Sequence, residues 1–159
     1  MTRELALLFH FLGLGLSVTI QVAGFVLEFQ YKKAPDLQTK AVILRALRPI
    51  GLLSPVAVVI MIITGLINMN QLAIEFSTFM WLQEKLAVFV VAVVVGVFFG
   101  IRARKRGALV ASMIQGKAPN DAETQLRGLD KQIMILSIVM PILFLAVVYL
   151  AVQGRLGAQ

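Results

Sequence analysis

IMILSIVMPILFLAVVYLAV, residues 133–152, is a run of twenty residues without one Asp, Glu, Lys, Arg or His. As a helix it is long enough to cross the hydrocarbon core of a bilayer, which takes about 20 residues. Three further runs match it: LALLFHFLGLGLSVTIQVAGFVLEF at 5–29, IGLLSPVAVVIMIITGLINM at 50–69 and FMWLQEKLAVFVVAVVVGVFFGI at 79–101. Within lipid each backbone N–H and C=O must be bonded inside its own segment or closed barrel, and apolar runs of this length satisfy that as helices. The pattern predicts an all-α, single-domain protein, an antiparallel bundle of four transmembrane helices.

Composition agrees. A chain of 159 residues that is 59% hydrophobic and only 14% charged has too small an interior to hide its apolar side chains from water. The net charge of +7 would suggest nucleic acid if it formed a stripe on a polar domain. Here the basic residues sit in connectors beside apolar spans, a pattern that reports membrane orientation and gives no reason to expect a nucleic-acid partner. There is no cysteine, so disulfides, thiolate metal sites and thiol redox chemistry are excluded together. The first run lacks a basic segment before it and a small-residue cleavage site after it, and reads as a retained helix and not a signal peptide.

The connector between runs one and two holds Lys32, Lys33, Lys40, Arg45 and Arg48. That between runs three and four holds Arg102, Arg104, Lys105, Arg106, Lys117, Arg127 and Lys131. Together they carry twelve of the fifteen Lys and Arg residues. This asymmetry predicts a multi-pass protein of the cytoplasmic membrane with the two basic connectors inside, and both termini and the Asn70–Thr78 loop outside. Anionic lipid is the expected partner of the basic connectors.

Pro35 and Asp36 make a helix start. Leu37, Ala41, Ile43, Leu44 and Leu47 then recur at helical spacing, which predicts a separate interfacial helix over 36–48, lying along the inner surface and turned into the second span by Pro49, Gly51 and Pro55. In the 102–120 connector, Asn120 and Glu123 fit a capping box, so the fourth helix is expected over 121–152, starting ahead of its span. Pro141 frees the carbonyl of Ser137, and Gly96 and Gly100 allow close helix contact within the bundle or between protomers.

Polar residues inside the spans carry the functional signal. His10, Ser17, Gln21 and Glu28 fall on one stripe of the first helix, with Gly13 and Gly24 on the same face. Such a stripe avoids lipid, and two readings stay open: hydrogen bonds that fix packing, or a ligand or ion path. His10 lies about 8 Å inside the outer end of its helix by the ~1.5 Å rise per residue. Lys85 comes to nearly the same level on the third helix, beside Glu84 and one turn from Trp81. Asn68 and Tyr149 approach that layer from helices two and four, while Trp81 alone suits an aromatic belt at the lipid interface. Glu28 falls near the inner surface, where Arg45, Arg48 and Arg102 are available for an ion pair. Met69, Met80 and His10 share the outer side, and thioethers suit Cu(I), although the seven methionines form no dense Met-x-x-Met run.

A histidine early in helix one, Ser54-Pro55 through Thr64-Gly65-Leu66 in helix two, and Trp81-Leu-Gln-Glu-Lys85 opening helix three together resemble the CopD-like and HemJ-like four-helix membrane proteins over roughly residues 5–150. The resemblance implies a bacterial inner-membrane protein, with copper handling in one branch and haem-linked protoporphyrinogen oxidation in the other. On the haem branch His10 would be the axial ligand of haem b and Lys85 would meet a propionate or substrate carboxylate, with Gln21 as an orienting partner. The chain has a single histidine, so bis-histidine ligation within one chain is impossible. The reading that follows is a non-catalytic or accessory four-helix protein with a polar outer layer around His10 and Lys85, alone, as a homo-oligomer or within a larger membrane complex. The alternatives are a haem-binding redox enzyme and a copper or small-solute permease using His10, Met69 and Met80. No P-loop, dinucleotide fingerprint or metalloprotease motif is present.

Overall fold

The computed structural model describes residues 2–71 and 79–156. It consists of α1 (Arg3–Lys33), α2 (Leu37–Gln71), α3 (Met80–Ile114) and α4 (Ala122–Leu156), and no strand occurs among the described residues. At ~1.5 Å per residue the 31- and 35-residue helices are about 46 and 52 Å long. All four are long and apolar enough to cross a membrane. Their most hydrophobic windows are no more than 17% buried within the protein, so lipid and not a protein core receives most of the apolar side chains, as expected of a bundle whose surroundings are as oily as its interior.

The bundle is built from two antiparallel hairpins. α1 packs along α2 and α3 along α4, while contacts between hairpins, α2 with α3 and α1 with α4, are sparser. The ends therefore differ. The basic end carries the α1–α2 and α3–α4 connections; the terminal end carries the starts of α1 and α3 and the finish of α4. The predicted loop over 70–78 lies almost wholly outside the described residues.

Each helix start has a local cause. The Thr2 hydroxyl accepts the Leu5 amide at the head of α1. At the head of α2 the Asp36 carboxylate accepts the Thr39 amide at 2.7 Å and the Thr39 hydroxyl at 3.0 Å. These bonds hold the Asp36 carboxyl below its ordinary range, so this cap contributes at neutral pH and is lost as the pH falls through that lowered value. α4 begins one residue later than the expected Asp121, whose side chain accepts the Gln125 amide nitrogen at 2.9 Å. The turn before it is made by Gly116 at φ 67°, where a side chain would be strained.

Two expectations change. The interfacial helix over 36–48 is not a separate element: it is the first third of α2, which runs through Pro49 and Pro55 without interruption. Its apolar stripe was legible, but the half-buried Leu37, Lys40, Ala41, Leu44 and Leu47 form a face turned to the bundle, and Lys40 lies 5.2 Å above the Tyr31 ring of α1. The segment thus continues the packing of α2 along α1. In the same way α3 continues helical through Arg102–Arg106 to Ile114, past the predicted end of its span.

Close approach within each hairpin requires glycine. A Cβ on Gly13 would stand 2.9 Å from Ile60 Cγ2 on α2. A Cβ on Gly154 would stand 2.2–2.6 Å from three ring atoms of Trp81, so the indole is packed closely against α4 as well as having any interfacial role. Gly154→Ala should therefore cost about 1–3 kcal/mol, the usual penalty of overpacking, and shift the emission of the one tryptophan. Gly100→Ala, with nothing within 4 Å of the added carbon, should leave both unchanged. Unfolding in detergent followed by fluorescence checks the pair.

Candidate functional site

Two polar centres lie at opposite ends of α1. Glu28 follows His10 by eighteen residues, about 27 Å along the axis at ~1.5 Å per residue.

At the basic end Glu28 and Arg106 form a buried ion pair, 6% and 1% exposed. The guanidinium is bidentate: Nη1 donates to Oε1 and Nη2 donates to Oε2, the latter at 2.7 Å. Its plane stands 4.1 Å from the centre of the Tyr31 ring, and Asp130 of α4 lies 3.5 Å from Nη1. With Lys40 above the same ring, all four helices contribute to one centre whose formal charges cancel. The fork geometry of arginine matches a carboxylate in a way that lysine cannot. The expected partners of Glu28 were Arg45, Arg48 and Arg102; the structure replaces them with Arg106, because α3 stays helical far enough to carry that residue across to α1. Tyr31 and Asp130 were not anticipated. Their signal was the spacing Glu28–Tyr31, three residues on one helix face.

At the terminal end His10 Nδ1 lies 2.8 Å from Thr64 Oγ1 on α2. The Thr64 hydroxyl, 3% exposed, is also 2.6 Å from the Ile60 carbonyl and has only one proton to give. With that proton on Ile60, Thr64 accepts from His10 Nδ1–H, and the basic lone pair of the imidazole is placed on Nε2. A Cβ on the neighbouring Gly65 would meet the imidazole ring at 3.9 Å, an ordinary van der Waals contact. One turn further along α2, Asn68 Oδ1 is buried without a hydrogen-bond partner among the described residues, and so is Trp81 Nε1 on α3. Lys85, half-buried, sits one turn beyond Trp81.

The other predicted residues distribute as follows. Ser17 is spent inside α1, donating to the Gly13 carbonyl at 2.9 Å, and Gln21 is half-buried on the same helix. Tyr149 does not join the layer: it is 64% exposed on the outside of α4, where an aromatic ring meets lipid at less cost than a polar one. Met69 is half-buried near the end of α2, whereas Met80 is 73% exposed in the first turn of α3. Among the described residues no group of three His, Asp or Glu side chains is placed to hold a metal ion.

The Tyr31 ring and its hydroxyl have separable roles. The hydroxyl is near the Asp130 carboxylate without closing a hydrogen bond of ordinary geometry, so Tyr31→Phe should change stability by less than about 1 kcal/mol. Tyr31→Leu removes the face that the guanidinium stacks on and should cost about 2 kcal/mol through lost packing and cation–π attraction. Equilibrium unfolding of the purified protein in mixed micelles distinguishes the two.

Comparison with protein-family models, with curated proteins and with solved structures finds no match.

Proposed function

We propose that the terminal end of the bundle holds a metal-centred group of the haem b type with His10 Nε2 as ligand, and that the chain is an integral membrane redox protein of the CopD-like and HemJ-like kind. The observation that carries this reading is the bond from His10 to Thr64. A ligating histidine characteristically gives its second nitrogen to an acceptor that fixes ring and tautomer, and Thr64 is such an acceptor, itself locked by Ile60. The donor set also fits. Trp81 Nε1 is a buried donor without a partner among the described residues, and an indole N–H and a lysine ammonium are groups that carboxylates accept from.

When bound, haem supplies one-electron redox chemistry. The residues of this chain hold and orient: Thr64 sets the imidazole, His10 ligates, Lys85 offers a positive charge at the same depth, and Gln21 offers an amide further along the His10 face. Copper bound by His10, Met69 and Met80 is less well supported, since Met80 faces outward. In this reading the basic connectors lie on the cytoplasmic side and the His10 layer belongs to the outer leaflet, following the distribution of Lys and Arg.

A second reading, a non-catalytic or accessory bundle, is favoured by how many polar groups of α1 are already used internally: Ser17 on Gly13, Thr19 on Gly15 and Glu28 on Arg106. An absorption spectrum separates the two. Protein purified gently from its native membrane should show a Soret band that His10→Ala abolishes and that Thr64→Val weakens or shifts. Colourless protein from haem-replete cells, or a band indifferent to His10→Ala, would give the second reading precedence.

A further inference from the structure

A groove of about 390 Å³ runs along the side of the α3–α4 hairpin, lined by Val95, Phe98, Arg102, Gln132, Ile135 and Leu136. Helical spacing makes it. Residues 95, 98 and 102 fall on one stripe of α3, and residues 132, 135 and 136 on one stripe of α4. The α3 stripe runs from residue 95 to residue 102, seven steps or about 10 Å by the ~1.5 Å rise. Its walls are almost wholly apolar, the aliphatic stems of Arg102 and Gln132 included, and these two residues lie toward the basic end.

Arg102 differs from Arg106, one turn further on. The charge of Arg106 is met by Glu28 and Asp130. Arg102 is half-buried at the rim of the groove and takes part in no ion pair among the described residues. Just past the apolar run of α3 a guanidinium meets headgroups and water, where an anionic group is a favourable partner, and the protein has little to offer it. Glu28 and Asp130 are committed to Arg106, Asp36 caps α2 and Asp121 accepts from Gln125. Glu123 lies nine residues from Gln132 along α4, about 13 Å away by the same rise. Outside the groove Arg104, Lys105, Arg127 and Lys131 are exposed and basic, which adds only a diffuse, screened attraction for anionic lipid. An anion for Arg102 is therefore to be drawn from outside the chain, and the apolar walls suit one that carries an alkyl chain.

We propose that this groove is a binding site for one glycerophospholipid of net negative charge, its phosphate on the Arg102 fork and the Gln132 amide, the first part of one acyl chain lying along Val95, Phe98, Ile135 and Leu136. The site is independent of the His10 reading and needs only that the helices lie in lipid. It differs from the general attraction of basic connectors for anionic membranes in having a stoichiometry and a location.

Native mass spectrometry of the full chain, released from micelles containing equal amounts of phosphatidylglycerol and phosphatidylcholine, tests it. The expected result is one retained phosphatidylglycerol at concentrations where phosphatidylcholine is lost. Arg102→Gln should weaken retention about tenfold, the scale of one lost charge-assisted pair, and Ile135→Trp, which fills the groove, should do the same. Arg104→Gln with Lys105→Gln, outside the groove, should change it less than about twofold. If Arg102→Gln fails to fold, as judged by helicity and monodispersity, Ile135→Trp decides alone. Equal retention of both lipids, insensitivity to Ile135→Trp, or an equal loss in the Arg104/Lys105 variant would each overturn the proposal, leaving a diffuse lipid shell.

Discussion

The buried pair of Glu28 and Arg106 is the constraint on which the rest of the bundle depends. Helices in lipid gain little by hiding apolar surface from one another, because the tails around them are equally apolar. Association must come from close packing and from polar groups that have no better partner. Within each hairpin the packing is extensive, helped by Gly13 against Ile60 and by Gly154 beneath Trp81. Between hairpins it is sparser, and there the bidentate pair, stacked on Tyr31 and flanked by Asp130, supplies the link. Its geometry also sets the relative height of α1 and α3, since a guanidinium fork tolerates little sliding along a carboxylate.

That arrangement divides the molecule along its axis. The basic end is closed by a set of charges drawn from all four helices whose formal charges cancel, with the Glu28–Arg106 pair at its centre. The terminal end is joined differently, through a hydrogen bond from a histidine to a threonine that remains within the first hairpin. Buried polar atoms on α2 and α3 there lack partners among the described residues. The basic end is thus held by charge pairing between the hairpins and the terminal end by one oriented imidazole, the group on which the haem reading rests.

The four spans and their connectivity were legible in the sequence because the requirement to satisfy backbone groups in lipid acts on runs of twenty residues, which no local detail obscures. Helix ends were less so. Arg102–Arg106 reads as a loop by charge, yet arginine and lysine are good helix formers, and α3 keeps its hydrogen bonds through them to Ile114. That single extension explains why Arg102 was expected to meet Glu28 and Arg106 does. The stripe bearing His10 and Glu28 was readable from periodicity alone. Thr64, in contrast, gave no signal as the partner of His10, because it sits fifty-four residues away and a threonine in an apolar helix usually bonds its own backbone. Thr64 does that too, through Ile60, and it is the combination that orients the imidazole.

A double-mutant cycle on the full chain tests the central claim most directly, with Glu28→Gln, Arg106→Gln and the double variant unfolded in mixed micelles. Each single change should cost about 3–5 kcal/mol, because it leaves a buried charge without its counter-charge, and the double variant should cost clearly less than the two together. Single losses below about 0.5 kcal/mol that simply add, the behaviour of an exposed surface pair, would contradict the account.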